Sequence, residues 1–364
     1  MHPDEKHMKA ALALAERGIG ETWPNPSVGC VVVKDGRIVG RGWTGVGGRP
    51  HAEPQALAAA GEAAQGSTVY VTLEPCAHFG QTPPCTEALI AAQVSRVVIG
   101  AADPDPRVNG QGVAQLRRAG IAVTEGVLQS EAEAVAAGFL NRLRTGRPLV
   151  TLKLASTLDG RIATGAGESR WITSEAARRA AHALRGRHDA ILVGAGTVVA
   201  DDPELTCRLP HVRQRPIVRV VADSHLRIPL TARILASAAE IPTWLWVAEG
   251  ADPLRLRAVA ELGVKIIRLP LTSLGVDLKE GLRALGEEGI TSVLVEGGAQ
   301  IAAALLKQNL VDRLGWFHAP AVMGGDGWPA VQALGIDRLE QMPRFQRQSV
   351  QVFGPDVMSE FSVH

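Results

Sequence analysis

Thr68-Val69-Tyr70-Val71-Thr72-Leu73-Glu74-Pro75-Cys76-Ala77-His78-Phe79-Gly80-Gln81-Thr82-Pro83-Pro84-Cys85 packs a strand, a turn and the opening of a helix into one segment. The β-branched, apolar run over 68–73 predicts the strand. Pro83 and Pro84 suit the first turn of a helix, which the spacing predicts over 86–93. Cys76 stands just past the strand and Cys85 at the helix start. Upstream, His51-Ala52-Glu53 opens another predicted helix, over 52–60. Strand ends and helix starts lie side by side at one end of an α/β sheet, so His51, Cys76 and Cys85 can converge there.

Outward from this segment, strands and helices alternate. A helix is expected over 6–17, then a hairpin of strands 28–33 and 37–43 around Lys34-Asp35-Gly36. After 86–93 come a strand over 96–101, a helix over 112–118, a strand over 121–127 and an Ala-rich helix over 130–144. Such alternation predicts an α/β layered sheet. Thr145-Gly146-Arg147-Pro148 carries stop signals, which places a domain break there and gives domains 1–145 and 146–364. Beyond it the alternation resumes, with strands expected over 149–154, 189–194, 217–222, 243–247, 264–269, 292–295 and 350–353, and a helix over 174–185. A chain of 364 residues also exceeds the usual size of a single core.

A catalytic zinc centre needs three protein ligands and an open fourth position where water loses a proton near neutral pH. His51, Cys76 and Cys85 supply three. Glu53, two residues after His51, can face that water without occupying a ligand position, and so serve as proton shuttle. A structural site closed by a fourth ligand such as His78 is the competing reading, but it has no use for Glu53. Cys30, in an apolar run, and Cys207, in a polar loop, have no neighbouring ligand types and read as structural.

The 38 basic and 37 acidic residues leave a net charge of +1, which opposes a broad nucleic-acid footprint while permitting a local phosphate pocket. No signal-peptide pattern opens the chain and no apolar run is long enough to span a bilayer, so a soluble, cytoplasmic protein is expected. No nucleic-acid or membrane partner is expected, and the chain is expected to form a homo-oligomer. The second half lacks the G-x-G-x-x-G dinucleotide fingerprint. Glu296-Gly297-Gly298-Ala299-Gln300 leaves a strand and opens a helix, so its backbone N–H groups can meet phosphate, or the glycines can simply make a tight turn. Gly194-Ala195-Gly196-Thr197 offers a second close-approach loop.

His51-Ala52-Glu53 with Pro75-Cys76 and Cys85 resembles the signature of zinc-dependent nucleobase deaminases, here with eight residues between the cysteines rather than two. Together with Glu74 to Cys85, the segments 153–160, Glu168-Ser169-Arg170-Trp171-Ile172-Thr173, 189–197, Ala200-Asp201-Asp202-Pro203-Glu204-Leu205-Thr206 and Val295-Glu296-Gly297-Gly298 resemble the bifunctional riboflavin-biosynthesis deaminase-reductases along almost the whole chain. The resemblance implies a cytidine-deaminase-like α/β/α domain followed by a dihydrofolate-reductase-like α/β domain. It implies zinc-dependent deamination of diaminohydroxyphosphoribosylaminopyrimidine, then NADPH-dependent reduction of the ribosyl group of the aminouracil product.

On the same resemblance, Asn25 and His78 contact the deaminase substrate, with a plain loop role open for His78. The family often has Asn where this chain has Asp105. Ala155, Trp171, Thr197, Asp201, Ser224 and the segment Gly298, Ala299, Gln300, Ile301, Ala302, Ala303 and Ala304 line the NADPH site. Lys153, Ser169, Arg185, Leu205, Arg208 and Glu296 meet the reductase substrate. The arginines suit a phosphate, Glu296 suits sugar hydroxyls and Lys153 suits polarising the open-chain sugar. Without the resemblance, Arg185 reads as a solvated last-turn residue. Two rivals remain at this stage: a tRNA adenosine deaminase-like enzyme, opposed by near-neutral charge and the second domain, and a non-enzymatic zinc-stabilised interaction module.

Overall fold

The structure, a computed structural model, describes residues 2–363. The chain divides into two compact units, Met1–Arg147 and Pro148–His364.

The first unit runs α1 (Pro3–Ala15), β1 (Gly29–Lys34), β2 (Arg37–Trp43), α2 (Ala52–Ala60), β3 (Thr68–Leu73), α3 (Cys85–Ala91), β4 (Arg96–Ala101), α4 (Gln111–Arg118), β5 (Ala122–Thr124), α5 (Gln129–Val135) and α6 (Ala137–Thr145). Its five strands lie in the order β2-β1-β3-β4-β5, with β1 antiparallel to both β2 and β3 and the rest parallel. Helix α1 packs against α5, while α2, α3 and α4 follow one another. Strands β1, β3 and β4 are buried almost throughout, as in a sheet covered on both faces.

Local chemistry fixes the pieces near the metal cluster. Asp35 and Gly36 both have positive φ, 49° and 73°, the backbone of a tight two-residue hairpin turn. Helix α2 lies directly on β2 because Gly40 and Gly42 carry no side chain. A Cβ there would stand 2.1 Å from the Ala56 carbonyl and 2.2 Å from that of Ala52. This close approach sets the start of α2, and with it His51 and Glu53. Asp4 ties α1 to the sheet, accepting from Arg96 at 2.9 and 2.8 Å and from the Tyr70 hydroxyl at 2.8 Å.

Two details differ from the sequence expectation. The helix expected over 130–144 is two helices, α5 and α6, meeting at Ala136, whose ψ of 3° interrupts the helical path. The strand expected over 121–127 narrows to Ala122–Thr124 at the sheet edge, where only β4 pairs with it.

The second unit contains β6 (Leu149–Thr157), β7 (Arg161–Ala163), α7 (Glu175–Gly186), β8 (Ala190–Gly194), α8 (Ala195–Asp201), β9 (Val218–Ala222), α9 (Arg233–Ala236), β10 (Thr243–Ala248), α10 (Pro253–Glu261), β11 (Lys265–Leu269), β12 (Leu271–Thr272), β13 (Gly275–Val276), α11 (Leu278–Glu287), β14 (Ser292–Glu296), α12 (Ala299–Lys307), β15 (Arg313–Ala319), β16 (Trp328–Pro329), β17 (Gln346–Phe353) and β18 (Asp356–Ser362). Nine of these strands form one sheet in the order β11-β10-β9-β8-β14-β6-β15-β18-β17. All neighbours are parallel up to β15, and β18 then runs antiparallel to both β15 and β17. Val193, Val221, Leu245 and Val247 sit in a core that also takes Leu256 and Val259 from α10. Strand β14 ends just before Gly297-Gly298, β8 ends at Gly194 and β6 at Thr157, and a cavity opens at the first two.

Among the described residues, no helix is long and apolar enough to cross a membrane.

Candidate active sites

In the first unit, His51 caps the N-terminus of α2, Cys76 follows β3, and Cys85 begins α3. Their ligand atoms all lie within 4.8 Å of one another. The His51 Nδ1 atom is 3.2 Å from Cys85 Sγ and 3.7 Å from Cys76 Sγ. Backbone N–H of Cys85 donates to Cys76 Sγ at 3.3 Å, and the Thr86 N–H and hydroxyl both donate to the Cys76 carbonyl. The loop from Cys76 to Cys85 is thereby closed on the first turn of α3. Hydrogen bonding from Cys85 and from His51 holds the Cys76 thiol down to about 4 against its burial. Two thiols and an imidazole at this spacing are a donor set that suits zinc, with three ligands rather than a closed four.

Glu53, only 4 % exposed, stands in the first turn of α2 and faces the same cavity of about 290 Å³. Burial raises its carboxyl above the usual range, and the neighbouring Cys76 adds to the effect. A carboxyl tuned upward can both take and return a proton near neutral pH. Asn25 and His78 line this cavity as well. The Asn25 amide donates to the Gly48 carbonyl at 2.9 Å, whereas His78 Nδ1 is buried with no partner. His78 stands outside the three-residue metal cluster.

Sequence reasoning left three neighbours unassigned. Glu74, of the Glu-Pro-Cys segment, accepts from the backbone N–H of Gly110 and Gly112 at 3.1 Å and Val113 at 3.3 Å, so it pins the start of α4 beside the metal loop. Asp103 lines the cavity, and burial pushes its carboxyl up to about 6. Arg49 lines it from the residue before Pro50-His51. Their signal is position alone: a strand end for Asp103, and adjacency to the ligand for Arg49. Asp105 also reaches the cavity, bound by Arg107 through Nε at 3.0 Å and Nη2 at 2.6 Å.

The second unit holds a cavity of about 950 Å³, at the upper end of the range for cofactor and substrate sites. Lys153, Ala155, Ser169, Arg185, Thr197, Asp201, Leu205, Glu296, Gly298, Ala299, Gln300 and Ile301 all line it. Gly298 caps α12 and its N–H donates to Thr197 Oγ1 at 3.3 Å, joining the two Gly-containing loops. A Cβ on Gly298 would meet nothing within 4 Å, so backbone there is open to a ligand. Asp201 pairs with Arg170 at 3.1 Å.

Arg185 departs from the solvated last-turn reading. It is largely buried and donates from Nε and Nη2 to the two oxygens of Glu296, and from Nη1 to the Thr206 carbonyl at 2.9 Å. Burial works against the Glu296 carboxylate, but Arg185, then Lys153, holds it at about 2. Burial likewise lowers the Lys153 ammonium below its usual value.

Other expected residues stand elsewhere. Trp171 is 68 % exposed and packs under Arg178, 4.3 Å from its ring centroid. Arg208 lies on His182 with Nε 3.3 Å from Nε2. Ser224 accepts from the Val276 N–H. Ala302, Ala303 and Ala304 are buried in the body of α12, whose first turn alone reaches the cavity. Cys30 is buried in β1, and the Cys207 thiol donates to the His182 carbonyl at 3.2 Å.

Comparison with known proteins resolves what these sites belong to. Residues 1–101 match the cytidine and deoxycytidylate deaminase zinc-binding region, and residues 148–359 match the RibD C-terminal domain. The chain is 44% identical over 355 residues to the riboflavin biosynthesis protein RibD of Bacillus amyloliquefaciens, covering 97% of this chain and 95% of that one. The Escherichia coli K12 protein of the same name is 44% identical over 365 residues, covering 97% and 98%. The chain belongs to the RibD family.

Solved RibD structures share its fold. That of Acinetobacter baumannii, form 2, superposes with a TM-score of 0.88 at 39% identity, covering 99% of this chain and 98% of that one. A Thermotoga maritima diaminohydroxyphosphoribosylaminopyrimidine deaminase/5-amino-6-(5-phosphoribosylamino)uracil reductase gives 0.87 at 37% identity, covering 100% and 99%. The protein is thus a bifunctional deaminase and reductase of riboflavin biosynthesis, with a cytidine-deaminase-like unit and a dihydrofolate-reductase-like unit. Zinc serves the first unit and NADPH the second. A tRNA deaminase and a non-enzymatic zinc module are both set aside by a family match that spans the reductase half.

Proposed function

We propose that this protein deaminates diaminohydroxyphosphoribosylaminopyrimidine in residues 1–145 and reduces 5-amino-6-(5-phosphoribosylamino)uracil in residues 146–364, the substrates named for the Thermotoga maritima relative. The observation that carries the reading is the convergence of His51, Cys76 and Cys85 beside buried Glu53 in one cavity.

His51, Cys76 and Cys85 would hold zinc, which when bound supplies a strong hydrolytic nucleophile from water at neutral pH. Glu53 accepts the proton of the attacking water and returns protons to the ring nitrogen and the departing amine. Its raised affinity for protons suits both halves of that task. Asn25 and His78 orient the pyrimidine.

In the second unit NADPH, when bound, supplies the hydride. Ala155, Thr197, Asp201 and the segment from Gly298 to Ile301 cradle it, with the open backbone at Gly298 admitting its phosphates. Lys153, Ser169 and Leu205 face the substrate. Glu296, held ionised by Arg185, accepts hydrogen bonds from sugar hydroxyls and keeps Lys153 close at hand.

The enzyme is further proposed to be cytoplasmic and homo-oligomeric and to act without nucleic acid or membrane. Near-neutral net charge supports the last point. A coupled assay with purified protein tests the function: ammonia release from the diamino compound, followed by NADPH consumption, supports it. Absence of ammonia release overturns the deaminase assignment.

A further inference from the structure

Arg49 is half-buried at the edge of the deaminase cavity, one residue before Pro50-His51. Its Nη1 donates to Thr82 Oγ1 at 2.5 Å and lies 3.4 Å from His51 Nε2. The second contact is not a satisfying one in the metal-loaded protein. His51 Nδ1 is the nitrogen facing both thiols, so a neutral ring that gives Nδ1 to a metal keeps its proton on Nε2. Nε2 is then a donor, and a guanidinium has donors only.

Among the described residues no carboxylate pairs with Arg49. Its neighbour in the cavity, Arg107, is by contrast committed to Asp105 through Nε and Nη2. Arg49 therefore presents five N–H donors beside the metal cluster with one side-chain acceptor, the Thr82 hydroxyl. A guanidinium so placed is an incomplete anion site. The cavity wall also carries the carboxylates Glu53, Glu74, Asp103 and Asp105, set against Arg107 and Arg142, so a dianionic substrate depends on the cations there.

We infer that Arg49 receives the phosphate of the deaminase substrate and selects the phosphorylated pyrimidine over its dephosphorylated form. The inference rests on the substrate reading proposed above. The planar fork offers paired donors to phosphate oxygens, and Thr82 fixes its orientation.

The test measures deamination by the zinc-loaded, full-length protein, by Arg49→Gln and by Arg49→Lys. Each is given the phosphorylated diaminopyrimidine and its dephosphorylated counterpart, the latter as substrate or as competitive inhibitor. Zinc content and NADPH-dependent reduction by the same preparations report folding. In Arg49→Gln, KM for the phosphorylated compound should rise about 10–100-fold, the worth of a charged hydrogen-bond pair, with kcat changed by less than about threefold. Affinity for the dephosphorylated compound should not move, and Arg49→Lys should recover part of the loss. Equal losses on both compounds, a fall in kcat alone, or an unchanged KM would overturn the inference. Failure of the unmodified protein to release ammonia from the phosphorylated compound would instead overturn the substrate reading.

Discussion

Arg185 grips Glu296 with two parallel hydrogen bonds, Nε to Oε1 at 2.7 Å and Nη2 to Oε2 at 2.9 Å, deep in the reductase cavity. The pair joins the last turn of α7 to the end of β14 and fixes the charge that Lys153 faces. Removing one partner of such a buried pair costs about 3–5 kcal/mol, because the other charge is left uncompensated. Glu296→Gln should lower the urea-unfolding stability of the reductase unit by an amount of that order and depress NADPH oxidation, while ammonia release persists. Unchanged unfolding would mean that the pair contributes no net stability.

His188 should make the reductase unit acid-sensitive. It is buried, its Nδ1–H donating to the Leu184 carbonyl at 2.7 Å and its Nε2 accepting from the Thr151 hydroxyl at 2.9 Å. Burial above all, with Arg313 and Arg187 nearby, holds it at about 4, against about 6.5 for a free histidine. Between these values the unfolded chain binds a proton that the folded one refuses, so stability falls as pH drops from about 6.5 and levels off below about 4. The full effect is on the order of 3 kcal/mol. In His188→Gln the slope of stability against pH should flatten by about one proton across that window. An unaltered slope in urea unfolding at stepped pH would refute the assignment.

The metal triad was legible because hydrolytic zinc chemistry prescribes residue types, count and position relative to strand ends and helix starts. Strands β15 and β18 were not. Arg313-Leu314-Gly315-Trp316-Phe317-His318-Ala319 and Asp356-Val357-Met358-Ser359-Glu360-Phe361-Ser362 mix glycine, charge and aromatics, and their strand character comes from pairing with β6 and with each other. The partner of Arg185 lies 111 residues away, so no local pattern distinguishes it from a solvated arginine. The alanines after Ile301 belong to the helix that the Gly-rich segment was expected to open, and one helical turn is enough to carry them from the cavity into the core.

Loss of the metal should silence one activity alone. A strong chelator, or Cys85→Ser, is expected to remove zinc and abolish ammonia release, because the substitution takes away one of the three ligand atoms. NADPH-dependent reduction of the aminouracil substrate should continue, since its cavity is lined entirely by residues of the second unit. Zinc retention by Cys85→Ser with normal deamination would remove Cys85 from the ligand set.

Glu53→Gln tests the central claim most directly, since the amide keeps the size of the side chain but cannot take the proton. The measurement is ammonia release from the diamino substrate by a variant whose zinc content and NADPH-dependent reduction are followed in parallel. Loss of a general acid–base group costs about 100- to 10,000-fold, and one carboxylate serves several transfers here, so the upper end is expected. Zinc content and reduction should both survive. Near-normal ammonia release from the zinc-loaded variant would contradict the account.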